Sequence, residues 1–138
     1  MHIDYQINRD ISVARFSALL HRSGLAARRP VDDQDCLAGM LANSNLIVSA
    51  WCGEDLVGIA RSVSDFHYCC YLSDLAVDRE YQNLGIGKQL QMLTQQQLGP
   101  RCKLILLAAP DANDYYRHVG YQAHPRCWVL ERDSQLSN

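Results

Sequence analysis

The sequence predicts an α/β protein: a mixed sheet with helices on both faces. Three observations lead there. Residues 46–51 and 56–64 are apolar, strand-like runs joined by the turn Cys52-Gly53-Glu54-Asp55, which reads as a hairpin. Residues 68–77 form a third run that ends at charged residues and a glycine pair, Gly85 and Gly87, after which Ile86, Leu90 and Leu93 recur at helical spacing. Residues 103–108 form a continuous apolar run, the pattern of a strand buried on both faces. A helix joins those last two runs, so they should lie parallel with a right-handed crossover.

Taken in order, residues 2–7 alternate weakly and suit a first strand. Ser12 can cap a helix carrying Val13, Phe16, Leu19 and Leu20, and Gly24 should end it. Residues 25–30 read as a loop. Asp32 or Asp33 can cap a second helix with Leu37, Met40 and Leu41 on one face. Residues 65–67 turn between the second and third sheet runs. Leu98-Gly99-Pro100 stops the helix that starts near Gly85, and Pro110-Asp111 opens a short helix through Val119 that Gly120 ends. Residues 121–132 are strand-rich and interrupted by Pro125, and residues 133–138 read as a loose tail.

At 138 residues, 48% apolar and 20% charged, the chain suits one globular domain, 1–138, with a real core. A net charge of −2 offers no basic footprint for nucleic acid. No apolar stretch approaches the roughly 20 residues that span a bilayer. The first residues do not read as a signal peptide, and a cytoplasmic protein is expected. Six scattered cysteines, with no Cys-x-x-Cys and no zinc-like Cys/His spacing, read as buried free thiols in a reducing compartment, and no metal is assigned.

The glycine pair carries the chemistry. Glycines let backbone amides approach a ligand, and a helix start leaves N–H groups without internal partners at the positive end of the dipole. A phosphate or pyrophosphate is the natural guest. Two familiar phosphate motifs fail. A Walker loop needs glycine at 82 and Ser or Thr at 89, where Gln82 and Gln89 stand; a dinucleotide fingerprint needs glycine at 90, where Leu90 stands.

What remains, Gln82-x-x-Gly85-x-Gly87, resembles the pyrophosphate loop of the GNAT superfamily of N-acetyltransferases: Arg or Gln, two spacers, Gly, a spacer, Gly or Ala. Leu75-Ala76-Val77-Asp78-Arg79-Glu80-Tyr81-Gln82 resembles the strand and loop that precede it in that family. Downstream, Asn113-Asp114-Tyr115-Tyr116-Arg117-His118-Val119-Gly120-Tyr121 resembles its last helix and the turn after it. The resemblance covers residues 71–130, and the order of elements before that is compatible with it.

That resemblance implies a GNAT-like acyl-CoA N-acyltransferase fold: a central mixed sheet with a splayed parallel strand pair and about four helices. It implies acetyl-CoA as co-substrate, with no metal, and direct attack by a primary amine in a ternary complex. The acceptor is a small amine or a protein amine, with no nucleic acid or membrane partner, and a homodimer is common in the family. Backbone groups of Leu75, Ala76 and Val77 would line the pantetheine groove. Gln82, Asn83, Leu84, Gly85, Ile86, Gly87 and Lys88 would hold the pyrophosphate. Tyr116 takes the place of the family's frequent general acid, and Tyr115 reads as core. Many members carry asparagine seven residues before that tyrosine; Ala109 stands here, and Asn113 is the candidate replacement.

The base is open. The position that histone-modifying members use for a carboxylate falls on Tyr71, no base at neutral pH. Asp74 is the nearby carboxylate: half-buried, it could accept a proton through water; alternatively it bonds backbone at a strand bulge and touches no substrate. Asp65 and His67 are further candidates, and proximity to an already neutral amine needs none. An acyl-cysteine route through Cys69 and Cys70 is disfavoured, since adjacent strand residues face opposite ways. Arg28 and Arg29 either touch an anionic acceptor or are solvated ahead of Pro30. Two rival readings remain: a catalytically weak acyl-CoA-binding regulatory module, and an unrelated nucleotide-binding α/β protein.

Overall fold

The computed structural model describes residues His2 to Ser137, and the chain forms two compact units, Met1–Leu107 and Ala108–Asn138. The first unit holds a five-stranded sheet in the order β1-β2-β3-β4-β5, with β1 Asp4–Ile7, β2 Leu46–Cys52, β3 Asp55–Ser64, β4 Cys69–Val77 and β5 Lys103–Ile105. Every neighbouring pair is antiparallel except β4 and β5, which are parallel and joined by a helix, as the sequence predicts.

Helices α1 (Val13–Ser23) and α2 (Gln34–Ala42) cover one face, where Phe16, Leu19, Leu20 and Leu37 pack on Ile47, Trp51, Ile59 and Ala76. Helix α3 (Ile86–Gln96) covers the other, where Ile86 and Leu90 pack on Val48, Ala50, Ala60 and Leu72. Alternate residues along β2 and β3 serve opposite cores, which explains why those strands read as continuous apolar runs. Gly58 lets α3 come close: a Cβ there would lie 3.1 Å from Leu90 Cδ1 and 3.2 Å from Ile86 Cγ2.

The caps follow the sequence. Ser12 Oγ accepts the Arg15 N–H at 3.1 Å, and Gly24 ends α1 at φ 87°. Asp33, rather than Asp32, caps α2 through Cys36 N–H at 3.0 Å. The connection between the two helices holds a 3-10 turn, Leu25–Arg28.

Three expectations are corrected. The run 103–108 is not a strand buried on both faces. Only Lys103–Ile105 pairs, Leu104 turns inward, and Ile105 and Leu107 are 41% and 49% exposed. β5 lies at the edge of the sheet and is covered on one face, so its apolar character exceeds its burial. Residues 121–132 form no strand: Trp128, Val129 and Leu130 are exposed, and no ladder partner takes up their backbone groups. All six cysteines are free, but only Cys70 is buried, while Cys36, Cys69 and Cys127 are exposed. Of the expected tail, residues 133–137 carry no helix or strand and are exposed, and Asn138 lies outside the described residues.

Candidate active site

The parallel pairing of β4 and β5 is short: Cys69 opposite Lys103, Cys70 opposite Leu104, Tyr71 opposite Ile105. β4 then continues to Val77, still paired to Gly58 of β3 on its other side. Among the described residues, 72–77 therefore have no strand partner on the β5 side, and the backbone groups that point to that side have no ladder partner. A bulge sits at the parting. The β3–β4 register shifts between Arg61 and Ser62, so that Ser73 is the extra residue. A bulge bends its strand and increases local twist, and this one lies two residues beyond Tyr71, the last β4 residue paired to β5.

A buried charge network holds the bulge. Asp74 has no exposed surface, and its Oδ1 and Oδ2 lie 2.5 Å from Arg29 Nε and 2.5 Å from Arg61 Nε. Arg29 Nη2 donates to the Ser73 carbonyl at 2.8 Å, Arg61 Nη2 to Ser73 Oγ at 2.9 Å, and Arg61 Nη1 to Ser44 Oγ at 2.9 Å. Asp74 is thus fully buried at the bulge with both oxygens engaged; it does not stand half-buried as a base would, and it bonds two arginine side chains rather than the backbone expected of it. Arg29 belongs to the same network, with its side chain 21% exposed, while Arg28 is exposed. Sequence reasoning missed this network. The legible trace was Arg61, a lone charge inside an apolar run.

The free edge leads into the glycine loop. Ala76 is buried under α1, and Leu75 and Val77 are half-buried toward α3. Asp78 opens a 3-10 turn, Arg79–Tyr81, by accepting Glu80 N–H at 3.0 Å. Gln82 folds back and donates from Nε2 to the Val77 carbonyl at 3.0 Å. Asn83 and Gly85 take positive φ, 64° and 83°. No side chain caps α3, whose first internal bond runs from Gln89 N–H to the Gly85 carbonyl at 3.0 Å. The N–H groups before Gln89 thus lack intrahelical acceptors. Gln82, Asn83, Leu84, Gly85 and Lys88 are exposed and Gly87 half-exposed, whereas Ile86 anchors the helix in the core at 2% exposure. A Cβ on Gly85 would meet nothing within 4 Å, so the space beside that residue is open. Open amides, the dipole and the Lys88 ammonium together suit an anion.

The remaining candidates fall out as follows. Tyr71 is 39% exposed at the last parallel pair. Asp65 Oδ1 accepts the N–H groups of Tyr68, Cys69 and His67 at 2.8, 3.0 and 2.9 Å. Those bonds, the Tyr68 amide foremost, hold its carboxyl at about 2, which suits an anchor for the β3–β4 turn and not a base. His67 is exposed on the same turn. Cys69 is exposed and Cys70 buried, facing opposite ways as expected, and burial pushes the Cys70 thiol up.

In the second unit, a 3-10 turn, Pro110–Ala112, leads into α4, Asn113–His118. Asn113 is the exposed first residue. The half-buried Tyr116 ring packs edge-on against Tyr115 and Tyr121, with centroids 5.1 and 5.4 Å away, and its carbonyl accepts Tyr121 N–H at 3.0 Å. Tyr115, assigned to the core from sequence, is 36% exposed.

Known proteins match this arrangement. A family model described as an acetyltransferase (GNAT) domain matches residues 22–128. The histone acetyltransferase TAP1 of Glycine max is 30% identical over 132 residues, covering 84% of this chain and 54% of the relative. This chain spans 29% to 54% of the length of the first curated relatives it matches. Among solved structures, a probable acetyltransferase from Staphylococcus aureus superposes with a TM-score of 0.75 at 16% identity, covering 94% of this chain and 98% of that one. The aminoglycoside N-acetyltransferase AAC(6')-Iy, solved in complex with CoA, superposes with a TM-score of 0.70 at 16% identity over 96% of this chain and 95% of that one. These likenesses to solved structures speak for the fold, and the family match speaks for descent. On the strength of the domain match, the chain belongs to the GNAT family of acetyltransferases.

Proposed function

We propose that the chain transfers the acetyl group of acetyl-CoA to a primary amine by direct attack in a ternary complex. One observation carries the reading: the unpaired edge of β4 leads, through the short turn and loop of residues 78–85, to the uncapped, exposed start of α3. That course matches a long donor with an amide-bearing arm and a diphosphate. Backbone groups of Leu75, which point away from β3 because Ala76 and Asp78 bond to it, would bond the arm, and the amides of residues 83–88 with the Lys88 ammonium would take the diphosphate. The Val77 carbonyl is already engaged by Gln82, so Gln82 serves the site by bracing the strand end against the loop.

The reaction forms a C–N bond as the C–S bond breaks, the amine loses a proton, and the departing thiolate gains one. Tyr116 is our candidate donor of that proton, and Asn113 a candidate donor-site contact. No dedicated base is assigned: Asp74 is sealed in its ion pairs and Asp65 in its turn. The amine then attacks in its neutral form, aided by orientation. The acceptor is left to experiment. Relatives and structural neighbours carry names that point to histones and to aminoglycosides, so an amine panel should include lysine peptides, peptide N-termini, aminoglycosides and polyamines. A cytoplasmic setting and a homodimer belong to the same proposal; among the described residues, no helix is long and apolar enough to cross a membrane.

Calorimetric titration with CoA, followed by a thiol-release assay across the panel, tests the proposal. Binding and acceptor-dependent release are expected. Absence of CoA binding at millimolar ligand would end it. Tyr116→Phe is expected to lower turnover about a hundredfold; unchanged turnover at every pH would remove Tyr116 as the acid. The locked Asp74 and the tyrosine at position 71 favour one second reading, an acyl-CoA-responsive binding module. CoA binding with no release for any amine would favour that module.

A further inference from the structure

The segment entering the glycine loop is fastened to the end of α1 at two points. The first is Asp78, 6% exposed. Its Oδ2 lies 2.7 Å from Arg22 Nε, and its N–H donates to the Val57 carbonyl at 2.9 Å. The same Arg22 donates from Nη2 to the Leu56 carbonyl at 2.6 Å. One guanidinium thereby joins the last turn of α1, the start of β3 and the residue that caps the turn before the loop. The second point is the α1 C-cap. A Cβ on Gly24 would lie 2.8 Å from Arg79 Nη2, so the guanidinium of the next loop-entry residue rests on that helix end.

Asn83, at φ 64°, takes a conformation that costs a non-glycine residue and that persists where the surroundings hold it. An amide-lined anion site gains affinity when its donors are oriented before the anion arrives. The entry to this loop is fixed by the Asp78 joint and its exit by Ile86 in the core. Arg22 is poorly suited to be an anion ligand itself, because Glu54, Asp55, Asp78 and Glu80 line the cleft it occupies.

We propose that Arg22 is a positioning residue for the donor site: through Asp78 it holds residues 82–88 in their anion-accepting form, and so sets affinity for the diphosphate end of the acetyl donor without touching it. This rests on the reading of that loop as the diphosphate site.

The test compares two donors, acetyl-CoA and S-acetylpantetheine, which has the same thioester arm and no diphosphate. Wild type should bind acetyl-CoA more tightly. Arg22→Met should raise Kd and KM for acetyl-CoA roughly tenfold, leave kcat at saturating donor unchanged, and leave S-acetylpantetheine unaffected. Arg22→Lys should fall between, since one ammonium can reach Asp78 but lacks the planar fork that also serves the Leu56 carbonyl. Should Arg22→Met not fold, Asp78→Asn takes its place, with the same split expected. Equal losses for both donors, or an unchanged acetyl-CoA affinity, overturns the role of Arg22. A wild-type protein that fails to distinguish the two donors removes the diphosphate reading itself, and the proposal with it.

Discussion

At the scale of single residues, two aspartates show how environment assigns a carboxylate its task. Asp74 is fully buried between two guanidiniums, so its removal strands charge in the interior. Asp74→Ala should destabilise the fold by about 3–5 kcal/mol, because Arg61, 5% exposed, loses its counter-charge. Urea denaturation measures this, and a change within experimental error would contradict the network. Asp65 behaves differently. Its carboxyl, exposed but bonded to three backbone amides, sits at about 2 in the fold, below the ordinary 3.8. A depressed value stabilises above the unfolded value and is lost as pH falls through the folded one. The melting-temperature gap between wild type and Asp65→Asn should therefore be full near neutrality and close between about pH 4 and pH 2. A gap that persists below pH 2 would assign the effect to something other than charge. Neither role was legible beforehand. The sequence marks both residues as titratable groups near the right strand, but only three-dimensional partners say which lone pairs remain free.

At the scale of elements, legibility followed the strength of local chemistry. The bounds of α1 were readable because Ser12 and Gly24 impose them through their own backbone bonds. The α3 start was readable because Gly85 at φ 83° takes a conformation that costs other residues. β5 was misread because an apolar run reports composition, not which face is covered, and the covering depends on elements far along the chain. Residues 121–132 were misread for a related reason: strand propensity lies in the residues, whereas a strand needs a ladder partner. The donor-loop motif was visible in sequence, yet the splay beside it was only implied by family likeness. The bulge at Ser73 depends on Arg29, Arg61 and Asp74 meeting, which no local pattern announces. Packing of α3 gives a prediction at this level. Gly58→Val would drive its side chain into Leu90, Ile86 and Ala50, whose atoms already lie 3.1 to 3.3 Å from where a Cβ would sit. A cost of about 1–3 kcal/mol is expected from overpacking, with weaker CoA binding, because the same helix presents the loop amides. A chemical-denaturation midpoint equal to wild type would show that α3 shifts freely on the sheet.

At the scale of the whole molecule, the proposed labour is divided along the chain. Residues 1–107 contain all five strands, both hydrophobic cores, the free β4 edge and the uncapped start of α3. Residues 108–138 contain Tyr116 and a long exposed stretch without ladder hydrogen bonds. Backbone that lacks such bonds opens at little cost, and proteases cut where backbone opens. Limited proteolysis should therefore cleave first within residues 121–137 and spare the sheet. If donor affinity resides in the strand edge and the loop, a shortened variant that ends before Tyr116 should retain most of its CoA affinity by calorimetry. It should at the same time lose turnover, since the candidate acid is gone. The two readouts separate binding from chemistry in one preparation. Loss of CoA affinity together with turnover would mean that the donor site extends into the last thirty or so residues, and the assignment of affinity to residues 72–88 would have to be withdrawn.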